Sequence, residues 1–213
     1  MSAFGDDFNR ADSTNLGANW TEASGDFEIQ TNALAFVTTG NARGFAIYNT
    51  ATAGLSQYVK IAATFDAANG FALIAVRYVD ASSPFYAIEF DDQVGNLVRW
   101  YGYDNATTEG AQVDSGTVAF ASGDTFGVTV TGTGTGTELR VWLNPTGDAP
   151  SSVSVWGGAG PGLTLTADPP TAADTGLLVG VGGHCAAADD LVMDNFFGGD
   201  VPTAVSAPMF RGA

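Results

Sequence analysis

Apolar and polar residues alternate along most of this chain, and clusters of Gly, Asn, Asp and Thr cut the alternation into short runs. In an extended chain successive side chains point to opposite faces, so such runs mark strands buried on one side. The pattern predicts strands over 26–30, 33–38, 43–48, 57–65, 71–79, 84–90, 96–103, 125–131, 138–143, 176–182 and 190–197. No stretch keeps a helical apolar stripe through several turns without a glycine or β-branched interruption. About a dozen short strands joined by tight turns imply an all-β fold, an antiparallel two-sheet β-sandwich or jelly roll.

The alternation also assigns faces. Within 71–79, Ala72, Ile74, Val76 and Tyr78 oppose Leu73, Ala75, Arg77 and Val79. Tyr86, Ile88 and Phe90 oppose Phe85, Ala87 and Glu89, and Val98 and Trp100 oppose Arg99, Tyr101 and Tyr103. Leu139, Val141 and Leu143 oppose Glu138, Arg140 and Trp142. Each strand has one apolar face and one that mixes charge with aromatic rings. If these strands are neighbours, Arg77, Glu89 and Arg99 form a cross-strand ladder beside Tyr101, Tyr103 and Trp142. Such a face reads in two ways. It is a solvated surface whose ion pairs contribute about 0–1 kcal/mol each, or a groove in which guanidinium groups and flat rings hold a sugar.

Composition narrows the partners. A 213-residue chain that is 45% hydrophobic, with 14 Phe and 4 Trp, can fill one sizeable core. Seven basic residues against 23 acidic ones give a net charge of −16, which repels nucleic acid and anionic membranes and argues against both as partners. Cys185 is the only cysteine, so no intrachain disulfide forms. The opening MSAFGDDFNR lacks a basic stretch followed by an apolar run, and nothing nears the about 18 consecutive apolar residues of a membrane span. Synthesis in a reducing cytoplasm is the expectation. The glycines of TGTGTGT, 131–137, precede no helix and no lysine, so a hairpin loop is expected in place of a phosphate cradle. Residues 144–175 are rich in Pro, Gly, Ala and Ser and read as a long excursion across a sheet with room for one short strand. Trp156 there is a plug on the sandwich or an exposed ligand platform. Residues 1–200 are expected to form the domain and 201–213 an extended arm whose Val205, Met209 and Phe210 dock on a neighbour.

The run DDFNRADSTNLGANWTEASGDFEIQTNALAF, 6–36, resembles the start of concanavalin A-like (laminin-G-like) jelly rolls. An acidic-Phe-Asn-Arg opening, a Leu-Gly-x-x-Trp turn, a Gly-x-Phe-x-Ile strand and an Asn-x-Leu hairpin carry the likeness. ALIAVRYVDASSPFYAIEFDD, SGDTFGVTVTGTGTGTELRVWLN and DTGLLVGVGGHCAAADDLVMDNFFGGD extend it over most of residues 4–200. The resemblance implies that the first and last strands pair, with Phe8 and Phe196 pointing inward. The opening acidic cluster is then strand-end and turn chemistry, with Asp12 and Asn15 in the turn before Leu16. It also implies a structural calcium ion where the two ends meet, with Asp7, Asp26 and Asp194 as ligands.

The same superfamily holds glycoside hydrolases whose catalytic strand reads Glu-x-Asp-x-x-Glu or Glu-x-Asp-x-Glu. Here EFDDQ supplies Glu89 and Asp91, then Gln93 where the second acid belongs. Retaining hydrolysis needs two carboxyl groups about 5–5.5 Å apart, and an amide cannot give up and recover a proton. His184 and Cys185 are the only His and the only Cys, and neighbours in a strand face opposite ways, so neither a closed zinc site nor a Cys–His dyad is expected. No Gly-x-Ser-x-Gly elbow is present. A non-enzymatic protein with no catalytic residues is the expectation. The resemblance points first to a bacteriophage virion structural protein, a capsid decoration, tail or fibre module. Such a protein would be a homo-oligomer located in the virion and bound through its arm to capsid or tail subunits. The alternative is a carbohydrate-binding adhesin that grips a host-surface polysaccharide with Arg77, Glu89, Arg99, Tyr101, Tyr103 and Trp142. A divergent glycoside hydrolase is the second alternative.

Overall fold

The computed structural model describes residues 3–38, 40, 42–65, 70–91, 95–167, 174–185 and 191–202. In chain order the described strands are β1 (Ala3–Asp6), β2 (Trp20–Ser24), β3 (Phe27–Gln30), β4 (Ala33–Phe36), β5 (Ala42–Tyr48), β6 (Gln57–Phe65) and β7 (Phe71–Tyr78). They continue as β8 (Phe85–Asp91), β9 (Leu97–Asn105), β10 (Thr108–Thr117), β11 (Thr125–Thr131), β12 (Thr137–Leu143), β13 (Leu163–Ala167), β14 (Leu178–Cys185) and β15 (Leu191–Asp200). The first sheet runs β13-β12-β11-β6-β15-β4-β3, with β1 beside β15, and the second runs β10-β9-β8-β7-β14-β5-β2. The described pairings are antiparallel, as a two-sheet sandwich requires.

The core lies between the sheets, where alternation sends one face of each strand. Val59, Ile61, Ala63 and Phe65 of β6 meet Ala72, Ile74 and Val76 of β7 in one buried cluster with Tyr86, Ile88, Phe90, Val98 and Trp100. Each large side chain buried here contributes about 1.5–3 kcal/mol. At one end of the sandwich Trp20 meets Tyr48 edge-on at 5.1 Å and Phe196 at 4.8 Å, with Phe8 at 5.5 Å. The two ends of the fold do meet. Ala3 lies opposite Gly199 and Asp6 opposite Phe196, and Phe8 and Phe196 are both fully buried. β1 stops at Asp6 because the backbone turns through a positive φ of 51° at Phe8, whose amide donates to Asp6 Oδ1 at 2.8 Å.

The opening acidic cluster is strand-end and turn chemistry. Asp6 Oδ1 accepts from Arg10 Nη1 at 2.7 Å and its Oδ2 from Trp20 Nε1 at 2.8 Å. Asn15 Oδ1 accepts from the Gly17 amide at 2.7 Å, as the turn before Leu16 requires. Asp12 departs from that turn and instead accepts from the Thr31 amide at 2.8 Å, tying it to the β3–β4 hairpin. The 131–137 stretch joins the paired β11 and β12 as a hairpin loop around a short 3-10 turn, Gly134–Gly136. Trp156 is a plug: fully buried, edge-on to Tyr58 at 5.6 Å, it seals the outer face of the first sheet.

Four strands lie outside the pattern, of which β1 is the first strand that the resemblance implies. β2 begins at the Trp of the expected Leu-Gly-x-x-Trp turn, β10 has only Ala111 and Val113 as apolar side chains, and β13 is the short strand of the excursion. β10 has no alternation to detect, because backbone pairing with β9, with three register shifts, holds it at the sheet edge.

The face assignment of 71–79 is corrected at Arg77. Its φ is +56°, a backbone shape that few side chains adopt. Pairing with β14 jumps from Ala75↔Gly180 to Tyr78↔Leu178 at that point. The bulge returns Arg77 to the side of Tyr86, whose ring lies 5.4 Å from the guanidinium, and sends Tyr78 outward against Phe85 at 5.3 Å. Arg77 is fully buried, forms an ion pair with Asp174, and donates to the carbonyl oxygens of Leu55 and Gly132. It takes no part in the Glu89–Arg99 ladder.

Candidate functional site

The outer face of the second sheet is mostly a second core. Phe45 and Ile47 of β5, Leu73 and Ala75 of β7, Phe85 and Ala87 of β8, and Tyr103 of β9 are all buried in one cluster. Glycines on β14 allow this. A Cβ on Gly182 would stand 2.6 Å from the Gly44 carbonyl oxygen and 2.7 Å from the Phe45 ring, and one on Gly180 would stand 2.9 Å from Ile47. The β5 side chains therefore lie across β14, and Phe45 reaches Phe85 at 5.0 Å and Tyr103 at 5.1 Å. The β9–β10 turn folds over the same face. Its buried Ala106 donates its amide to the Ala81 carbonyl at 3.1 Å and accepts from Ser24 Oγ at 2.7 Å.

Beside this apolar end the face turns polar. Glu89, with no exposed surface, accepts from Arg99 Nη1 at one oxygen and from Arg43 Nη2 at the other, the latter at 2.9 Å. Arg99 Nη1 also donates to Asp91 at 2.7 Å, and Arg43 Nη1 forms an ion pair with Glu109 at 2.5 Å. The Arg43 guanidinium lies 6.0 Å from the Tyr101 ring. Burial alone would lower the arginine pKa values. For Arg43 the hydrogen bond and charge of Glu89 and the charge of Glu109 help to offset it, and for Arg99 Glu89 and Asp91 do, so both rise above the usual value. Burial pushes the Tyr103 hydroxyl far above an ordinary phenol; Glu109 and Glu89 push the same way, while Arg43 opposes them.

A cleft of about 400 Å3 opens at this corner, lined among others by Ser24, Thr38, Arg43, Tyr103, Thr107 and Glu109. Tyr103 is only 2% exposed. Its hydroxyl and Arg43 Nε are buried without a hydrogen-bond partner among the described residues.

Four of the expected sugar-facing residues, Glu89, Arg99, Tyr101 and Tyr103, therefore share one face. Two do not, and their placement is corrected. Arg77 has turned inward at its bulge. Trp142 belongs to β12 in the other sheet, where it is 2% exposed, packs against Trp156 at 5.7 Å and donates Nε1 to Ala159 O at 3.3 Å. Arg43 and Glu109 were missed. Arg43 shares the alternation of Phe45 and Ile47, which places it on this face once β5 joins the sheet. Glu109 lies on the unforeseen β10. His184 stacks on Phe71 at 4.8 Å on this sheet while its neighbour Cys185 is buried in the main core, so the two do face opposite ways.

The expected calcium ligands do not gather into a shell. Burial raises the Asp194 pKa, with Asp7 and Asp6 adding, so Asp7 and Asp194 are near one another. Asp26 belongs to the β2–β3 turn, where its amide donates to Thr38 Oγ1 at 2.7 Å. Among the described residues no group of three or more His, Cys, Asp and Glu is placed to hold a metal ion. Val205, Met209 and Phe210 of the expected arm, and Gln93 of EFDDQ, lie outside the described residues.

No protein-family model and no curated protein sequence matches the chain. Solved structures match it through the fold. The carbohydrate binding module CBM66 from Bacillus subtilis superposes with a TM-score of 0.55 at 11% identity, over 86% of this chain and 93% of its own. A prokaryotic β-1,3-1,4-glucanase (lichenase) from a mouse hindgut metagenome gives 0.54 at 10% identity, over 95% and 100%. The VIP36 exoplasmic/lumenal domain in its Ca2+/Man3GlcNAc-bound form gives 0.53 at 13% identity, over 89% and 86%. The fold of this chain is thus that of concanavalin A-like lectin and glucanase jelly rolls.

Proposed function

We propose that this protein is a non-catalytic carbohydrate-binding module, with the Arg43–Glu89–Arg99–Tyr101–Tyr103–Glu109 face as its recognition surface. The observation that carries this reading is the engagement of the two carboxylates that the hydrolase-like strand retains, Glu89 and Asp91, beside Gln93 where the second catalytic acid belongs. Glu89 and Asp91 share the Arg99 guanidinium, and Arg43 holds the second oxygen of Glu89. Glycoside hydrolysis asks one carboxyl to carry a proton and the other to attack or activate water. A guanidinium has no proton to spare and favours the ionised form of its partner. These carboxylates orient the arginines, and the partly exposed Arg43 and Arg99 present donors to a ligand beside the buried Tyr101 and Tyr103. Sugars suit such a face, because each ring offers apolar C–H surface for stacking and hydroxyl groups that both donate and accept.

Two of the structural neighbours support the reading by their names, a carbohydrate binding module and a lumenal domain holding Man3GlcNAc. The lichenase marks the competing chemistry on the same fold. Calorimetric titration with a glycan panel, run beside a reducing-sugar assay, decides between them. We expect binding without release of reducing ends. Release that disappears in Glu89→Gln would replace this reading with the hydrolase. Attachment to a phage particle is a separate proposal that rests on Val205, Met209 and Phe210, and mass spectrometry of purified particles tests it.

A further inference from the structure

We infer that the cleft at the Arg43–Tyr103–Glu109 corner is a subsite for a neutral sugar presenting neighbouring hydroxyl groups, which the Tyr103 hydroxyl and Arg43 Nε are placed to receive. This rests on the carbohydrate-binding reading and names the ligand class. A buried hydroxyl with no partner costs stability, so a protein that keeps one gives up something that phenylalanine at the same position would recover. The other hydroxyls of the cleft are committed within the protein. Ser24 Oγ donates to Ala106 O at 2.7 Å, Thr38 Oγ1 accepts from the Asp26 amide at 2.7 Å, and Thr107 Oγ1 donates to Asn105 Oδ1 at 2.9 Å. What remains is a group that can donate or accept at Tyr103, a donor at Arg43 Nε, and the acceptor oxygens of Glu109.

Charge selects the ligand. Two arginines, Arg43 and Arg99, face three carboxylates, Glu89, Asp91 and Glu109, so the cluster carries one excess negative charge. The chain adds a net −16 around it. A uronate or other acidic sugar would bring a further negative charge to arginines already paired. A neutral sugar avoids that repulsion. Its adjacent hydroxyls can give a proton to Glu109 and take one from Arg43 Nε, because donor and acceptor belong to a single ion pair.

Tyr103→Phe removes the hydroxyl and nothing else. Titrate the wild type and the variant with a Man3GlcNAc glycan, β-1,3-1,4-glucan and polygalacturonate, and measure the melting temperature of both proteins. We expect the wild type to bind a neutral glycan and not polygalacturonate. The variant should bind that glycan about tenfold more weakly with an unchanged or higher melting temperature. Equal affinity of wild type and Tyr103→Phe would overturn the subsite while leaving the carbohydrate-binding reading in place. Preference for polygalacturonate would overturn the neutral-ligand assignment. If the wild type binds none of the three, the underlying reading falls, and the subsite with it.

Discussion

Asp6 closes β1 against the rest of the fold by accepting from the Phe8 amide, Arg10 and Trp20 at once. Burial works to raise its pKa, but the Arg10 and Trp20 hydrogen bonds, the Phe8 amide and the charge of Arg10 together bring it below the ordinary 3.8. A carboxyl whose folded pKa lies below its unfolded one stabilises the fold fully above the unfolded value, and that contribution is lost as pH falls through the folded value. Asp6→Asn removes it. Denaturant titrations should show the variant less stable by about 1–2 kcal/mol near neutral pH, with the gap narrowing at a pH below the ordinary 3.8 as the wild-type carboxyl takes up its proton. A gap of the same size at both pH values would show that Asp6 acts by shape and not by charge. Tyr103 works the other way, holding an unmatched hydroxyl that costs stability in the free protein.

Between elements, Arg77 is the tie. Its bulge in β7 places one guanidinium against Asp174 and the Gly132 carbonyl, while its amide donates to Gln57 Oε1 at 2.7 Å. Asp174 in turn accepts from Tyr86 at 3.0 Å and from the Gly134 amide at 2.8 Å. The β11–β12 hairpin, the start of β6 and the segment before β14 are thereby joined through one buried ion pair. Removing one member of such a pair leaves the other uncompensated, so Arg77→Ala should lose about 3 kcal/mol in urea unfolding. A loss below about 1 kcal/mol would place Arg77 among the exposed pairs that contribute little. The glycines of β14 act at the same scale, since side chains at 180 and 182 would separate β5 from the face it covers.

For the molecule as a whole, 23 acidic residues against seven basic ones oppose compaction. Adding salt screens that repulsion, so the melting temperature should rise by a few degrees between about 0.02 and about 0.5 M sodium chloride. A calcium chelator should leave it unchanged, because Asp7, Asp26 and Asp194 do not form one shell; a fall of several degrees on chelation would show that one forms. The sequence by itself determined that the chain is strands, and it placed β6 and β11 to the residue. It also determined the apolar face of each strand that alternation marks, because alternation is written locally in each run of residues, while the meeting of the two ends came from the family resemblance. Only the tertiary structure decided which charges meet. Arg43 and Glu89 are 46 residues apart, and Arg77 and Asp174 are 97 apart. Strand order brings such residues together or keeps them on different sheets, as it does Trp142 and Tyr103. A single bulge then reverses a face that strict alternation would assign, as at Arg77, because an inserted residue shifts every side chain after it to the other side.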